Sequence, residues 1–257
     1  MVFIGGWVLA KTNGISFIDG LDDDARRALV ADGDRMLAGL RSPASGGWTR
    51  AWRLVGGGAD LMLTHFRPSL DDLAAAQLRV RRSALGPHLR LTWDYTSVTE
   101  AGLYGATSKA AKEAEPGSPE YEALLAQMME AERASDHIRT RLYPEVPEGM
   151  RYVSFYPMTK RRVHPDNWYT LPVAERNRLM REHGMSGRRY AGRIFQVITG
   201  SVGFDDWEWG VTLFARDPLE FKKIVTDMRY DEASARYGEF GEFFVGIGME
   251  GLGELLL

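Results

Sequence analysis

Five histidines and no cysteine limit the metal and nucleophile chemistry open to this chain. Without thiols it can build no disulfide, iron–sulfur cluster or thiolate metal site. The histidines are His65, His88, His137, His164 and His183. His164 sits in the polar run "RRVHPDNWY", His88 follows Pro87 in a loop, and His65 ends a strand pattern, where it packs or hydrogen-bonds. His183 lies in "RLMREHGMSGRRYAG", on a helical pattern where Leu179 and His183 share a face. Gly184 then reads as the residue that ends the helix. Two readings follow. His183 is either a helix-ending imidazolium interacting with the dipole or a lone ligand. It has no second ligand at metal spacing, which argues against a protein-only zinc site. One imidazole suffices where a macrocycle supplies the other four ligands.

The strand pattern "RYVSFYPMTKRR" carries a phenol and an ammonium. Alternation places Tyr152, Ser154 and Tyr156 on one face. Val153 and Phe155 take the other, expected against the helices, so Tyr156 should point away from the apolar layer. Met158 and Lys160 extend the first row if the strand continues past Pro157. Such a row can line a pocket, although an ordinary amphipathic strand reads the same way. Gln196, in "YAGRIFQVITGS", is an amide within an apolar strand and needs a partner from backbone or ligand. Trp207 and Trp209 share a strand face and read as core or as ligand contacts. Arg229 and Ser234 close the last long helix and can bind a carboxylate, or Arg229 is simply solvated. Lys160, Arg161 and Arg162 form a basic cluster for a small anion. Gly56 to Gly58 is no phosphate loop, because no Lys-Ser/Thr follows and a strand comes next.

The elements that must position these residues repeat. Strands are predicted over Trp7–Ala10, Trp48–Leu54, Asp60–His65 and Leu89–Val98, with helices over Asp22–Leu40 and Pro68–Arg82, Ser69 being the N-cap of the latter. The second half gives strands over Tyr152–Pro157, Arg188–Thr199, Trp207–Phe214 and Phe243–Met249, with helices over Pro172–His183 and Pro218–Tyr230. Two β-α-β-β-α-β units indicate an α+β fold of two ferredoxin-like halves with antiparallel sheets. The expected division is 1–104, a connector at 105–150, and 151–257. Within the connector, Ala106–Pro119 reads as a mobile loop and Glu120–Arg141 as a helix ended by Pro144 and Pro147. Hydrophobic residues are 44% of the 257, enough for a sizeable core. A net charge of -3 without a basic stripe argues against nucleic acid. No apolar run reaches the ~20 residues of a spanning helix. Met1–Ala10 reads as a strand rather than a signal peptide, and the lack of cysteine fits a cytoplasmic location.

Together "FYPMTKRR", "DNWYTLP", "MREHG", "GRRYAG", "QVITGSVGFDDWEWGVTLFA" and "DMRYDEASARYGEFG" resemble the C-terminal half of coproheme decarboxylases of the chlorite-dismutase-like superfamily. The first half matches mainly in layout. The resemblance implies the dimeric α+β barrel type, a homopentamer, and peroxide-dependent conversion of iron coproporphyrin III (coproheme) to haem b. Two propionates become vinyls, and a ferrochelatase is the implied coproheme donor. It also implies roles: His183 as iron ligand, Tyr156 as the radical-forming tyrosine, and Lys160 in the second decarboxylation. Met158, Arg229, Ser234 and Arg141 match residues near the propionates, and Gln196 matches the distal glutamine of one branch. Chlorite dismutases carry arginine at that position, so Gln196 argues against chlorite breakdown. His137 is the candidate for the distal histidine that some relatives use. The competing readings are a chlorite dismutase or peroxidase, a haem-binding or delivery protein, and a porphyrin-free protein in which His183 only ends a helix.

Overall fold

The computed structural model describes residues 3–11, 21–55, 58–99, 104–133 and 142–256. The first half runs β1 (Phe3–Lys11), α1 (Asp23–Arg41), β2 (Trp48–Leu54), β3 (Leu61–Arg67), α2 (Leu70–Arg82) and β4 (Leu89–Val98). Local chemistry sets these bounds. Asp22 caps α1 by accepting from the Ala25 N–H, and Asp23 and Asp24 fill its first turn while Arg41 fills its last. Ser69 caps α2 through the Asp72 N–H at 3.0 Å, as expected from its sequence. Two connector helices follow, α3 (Tyr104–Glu113) and α4 (Pro119–Arg133).

The second half repeats the order: β5 (Tyr152–Lys160), α5 (Val173–Arg188), β6 (Ile194–Gly200), β7 (Trp209–Ala215) and α6 (Leu219–Arg229). A one-turn helix α7 (Glu232–Ala235) and a short strand β8 (Gly238–Phe240) precede β9 (Phe244–Met249), and α8 (Gly253–Leu256) follows. The strand order is β7-β6-β4-β1-β3-β2-β9-β5-β8, with β7 also paired to β5, so all strands but β8 close into a ring. Every ladder pairing is antiparallel. The halves meet through β2–β9 and through a single β4–β6 pair, Val98 with Gly200.

Closure gives the sheet two apolar faces. The interior face packs both halves together: Trp52, Met62, Phe66 and Tyr95 meet Val153, Phe155, Phe214 and Phe244. The outer face carries helices. Leu37, Leu40, Ala76 and Val80 of α1 and α2 cover Ala51, Leu61 and Leu63. Phe221 and Ile224 of α6 cover Tyr156, Ile194, Val211 and Leu213.

Four sequence expectations change. Val153 and Phe155 face the barrel interior and Tyr156 faces the helices, the reverse of the expected orientation. Alternation gives two faces but not which one the helices cover, and here both are covered. The segment expected as a loop from Ala106 is helical through Glu113, with Ala110 fully buried; alanine and lysine are strong helix formers. α5 does not end at Gly184 but runs to Arg188. Arg188–Arg193 therefore forms the end of α5 and a turn, with Gly192 at φ 79°, and β6 starts only at Ile194. Pro157, in contrast, does not interrupt β5, and Met158 and Lys160 do continue the Tyr156 row.

Candidate functional site

Between α5, α6 and the outer face of β5–β7 lies a cavity of about 960 Å³. His183, Gly184 and Gly187 come from α5, and Tyr156, Met158 and Lys160 from β5. Gln196 comes from β6, Arg229 from α6 and Ser234 from α7, all on the cavity wall. Seven residues singled out by sequence thus converge here. Arg141 and His137 lie outside the described residues.

His183 is anchored by a residue that sequence reasoning missed. Its Nδ1 lies 3.0 Å from Asp231 Oδ2. Ser234 Oγ donates to the same oxygen at 3.2 Å, and Ser234 N–H to Asp231 Oδ1 at 3.0 Å. Asp231 is therefore both the N-cap of α7 and the imidazole's partner, and the spacing Asp-x-x-Ser was the legible signal. The side chain of Asp231 is 8% exposed and that of His183 23%. Burial alone would raise the Asp231 carboxyl, but the hydrogen bonds from His183 and Ser234 outweigh it and hold it below the ordinary carboxylate range. A carboxylate accepting at Nδ1 fixes the tautomer and leaves the Nε2 lone pair for a ligand. Nε2 has no partner among the described residues.

α7 can hold Asp231 still because it is itself clamped to α5. Ala233 packs with Leu179, Trp168 and Tyr237, all nearly fully buried. Arg178 bridges α5 to Glu232 at 2.9 Å. Ser234, expected to meet a carboxylate of the ligand, spends its hydroxyl within this assembly.

Lys160 is buried, its Nζ donating to Ala233 O at 2.8 Å and lying 4.6 Å from the centre of the Trp168 ring. Burial pushes its ammonium down to about 8, with Asp231 and Glu208 opposing the shift. Tyr156 stacks on Phe243 at 4.3 Å between ring centres. Burial pushes its phenol up to about 12, partly offset by Arg229, so the hydroxyl is protonated at neutral pH. The Arg229 guanidinium lies 4.4 Å over Phe240 and has no ion pair among the described residues. Arg188, not singled out from sequence, adds a second solvent-facing cation to the wall. The half-buried Gln196 amide has no protein partner among the described residues.

The wall therefore offers one oriented nitrogen donor, a protonated phenol and a rim with cations. A Cβ at Gly184 would meet nothing within 4 Å, so the helix surface beside His183 is bare. These features fit a flat, largely apolar macrocycle that carries carboxylates and an iron.

The family model described as chlorite dismutase matches residues 26–249. The chain belongs to the chlorite dismutase family. Within that family it is 45% identical over 210 residues to the coproheme decarboxylase of Staphylococcus carnosus, covering 82% of this chain and 76% of that protein. It is 47% identical over 195 residues to the coproheme decarboxylase of Thermus thermophilus, covering 76% and 69%. Among solved structures, a heme-binding protein from Thermus thermophilus superposes with a TM-score of 0.83 at 37% identity, covering 99% of this chain and 94% of that one. A chlorite dismutase from Candidatus Nitrospira defluvii superposes with a TM-score of 0.72 at 18% identity, covering 99% and 93%, and shares the fold.

Proposed function

We propose that this family member is a coproheme decarboxylase that seats iron coproporphyrin III on His183 and converts two propionates to vinyls with hydrogen peroxide, yielding haem b. The observation that carries this reading is the pairing of two groups on one cavity wall: an imidazole held by a buried carboxylate, and a buried phenol. The relatives named coproheme decarboxylase support it.

Each decarboxylation balances as a propionic side chain plus one hydrogen peroxide giving a vinyl group, carbon dioxide and two waters. The bound iron supplies the redox chemistry with peroxide. The chain's residues do the rest. His183 holds the macrocycle through Nε2, and Asp231 keeps that nitrogen deprotonated and aimed. Tyr156 keeps its Oη proton, so it can give up an electron and a proton together and then take a hydrogen atom from the adjacent propionate. Arg229, Met158 and Lys160 orient the carboxylates, the two cations through charge-assisted hydrogen bonds. Arg141 is assigned the same task, and Gln196 would offer its amide as a hydrogen-bond partner for the oxidant. Ser234 acts by steadying Asp231.

In the same reading the 151–257 half binds the porphyrin, the 1–104 half completes the barrel, and the 105–150 connector joins the two. The protein works in the cytoplasm as a homopentamer and receives coproheme from a ferrochelatase. No helix among the described residues is long and apolar enough to cross a membrane.

The deciding experiment is mass spectrometry of the bound porphyrin during peroxide titration. Two successive losses of a carboxyl group from the wild type, abolished in Tyr156→Phe while coproheme binding persists, are expected. Unchanged porphyrin in the wild type would reject the assignment.

A further inference from the structure

Glu208 lies in the β6–β7 connection and is buried, yet the chemistry above does not use it. Its backbone is held on both sides: its N–H donates to Met158 O at 3.1 Å, and its carbonyl accepts from Ser201 N–H at 2.8 Å. Its Oε2 accepts the Lys160 backbone N–H at 2.8 Å. The local reason is plain. β7 pairs with β5 only as far as Met158, so the Lys160 N–H has run out of strand partners on that side. A buried donor needs an acceptor.

That task does not require a charge. The amide oxygen of glutamine would accept the same N–H, and a buried carboxylate is costly to desolvate. The carboxylate grips the backbone of a residue whose own ammonium is buried, and it acts on that ammonium without forming a direct ion pair. That group is buried against Ala233 O and the Trp168 ring, neither of which carries a full negative charge. The charged groups that bear on it are Asp231 from the start of α7, the larger, and Glu208 from the β6–β7 connection, while His183 and Arg229 line the same cavity. Both Asp231 oxygens are already committed to His183 and Ser234. Glu208 makes no other side-chain hydrogen bond among the described residues.

We propose that Glu208 is a positioning residue for Lys160: its carboxylate anchors the backbone at the end of β5 and adds a second negative charge, beside that of Asp231, that keeps the ammonium ready for a substrate carboxylate. The inference rests on the reading that Lys160 faces the porphyrin's propionate.

Glu208→Gln separates the two tasks, because it keeps the acceptor and removes the charge. Lys160 is titrated by NMR in porphyrin-free protein carrying ¹³C-labelled lysine, with Lys160→Arg identifying the resonance. Its pKa, about 8 in the wild type, should fall by roughly one unit in Glu208→Gln, the usual effect of losing a nearby opposite charge. In turnover the alkaline limb of the second decarboxylation should move to lower pH by the same amount, so the three-propionate porphyrin accumulates, while affinity for ferric coproporphyrin stays within about threefold. An unchanged Lys160 titration overturns the proposal and leaves Glu208 as a backbone acceptor. If Glu208→Gln is too unstable to titrate, the Lys160→Met/Glu208→Gln double variant decides. Stability regained over the single variant supports the pairing, and additive loss overturns it. Because the titration needs no porphyrin, its outcome is independent of a wild type that fails to decarboxylate coproheme, a result that would instead sink the functional reading.

Discussion

Asp231→Asn tests whether the carboxylate beside His183 determines how the chain holds an iron porphyrin. Asparagine is as good an N-cap as aspartate, so fold loss should be small. Its two ends are no longer equivalent, however. Asp231 presents Oδ2 to the imidazole and Oδ1 to the Ser234 N–H, both as acceptors. Asparagine has one acceptor and one donor. If the oxygen serves His183, the NH₂ group faces the Ser234 N–H and the cap is lost. If the oxygen serves the cap, the NH₂ group faces Nδ1 and favours the opposite tautomer, which places the proton on Nε2. A charge-assisted hydrogen bond in a partly buried site is worth about 1.5–3 kcal/mol, and loss of such a partner typically costs about 10–100-fold in affinity. Titration of porphyrin-free protein with ferric coproporphyrin, followed in the Soret band, should therefore give a dissociation constant raised at least tenfold. The ferrous form should also show a weakened iron–histidine stretch by resonance Raman. Wild-type affinity together with an unchanged stretch would refute the reasoning, because it would mean the bond seen between His183 and Asp231 does nothing for the ligand.

Further outcomes are expected. Gly184→Leu should improve helix propensity by ~1 kcal/mol yet weaken coproheme binding, because its side chain enters open space beside His183; thermal melts and Soret titration check both halves of the statement. Gly47→Ala should destabilise by more than ~1 kcal/mol, since Gly47 has φ 80° and a Cβ would lie 2.0 Å from the Phe66 carbonyl oxygen; urea unfolding reads this. His65 is fully buried, with Nδ1 bonded to Thr49 Oγ1 at 2.8 Å, and burial, aided by Arg67, pushes it down to about 3. Its folded pKa lies below the unfolded value of about 6.5, so its contribution is complete above that pH and is lost as pH falls toward 3, at ~1.4 kcal/mol per unit. Urea midpoints at pH 7 and pH 5 should reveal a loss of about 2 kcal/mol that disappears in His65→Gln; an equal loss in that variant would show that other groups carry it.

The sequence by itself determined the order of the long strands and helices in each half, because period-2 and period-3.6 patterns and the capping residue Ser69 are local, whereas the helix at Tyr104–Glu113 and the short α7, β8 and α8 were not legible in it. It also put Tyr156, Met158 and Lys160 in one row and His183 on the face of Leu179, since those are properties of a single strand and a single helix. The motifs around His183 and Tyr156 carried the family resemblance. Tertiary structure decided the rest. Ring closure covers both faces of the sheet, so only the folded barrel shows that Tyr156 faces the helices and Phe155 the interior. Asp231 stands 48 residues from His183, and Glu208 the same distance from Lys160. No periodicity links such pairs; the clamp of α7 on α5 and the end of the β5–β7 ladder bring them together. The sequence names the groups that carry charge and protons, and packing chooses which of them are neighbours.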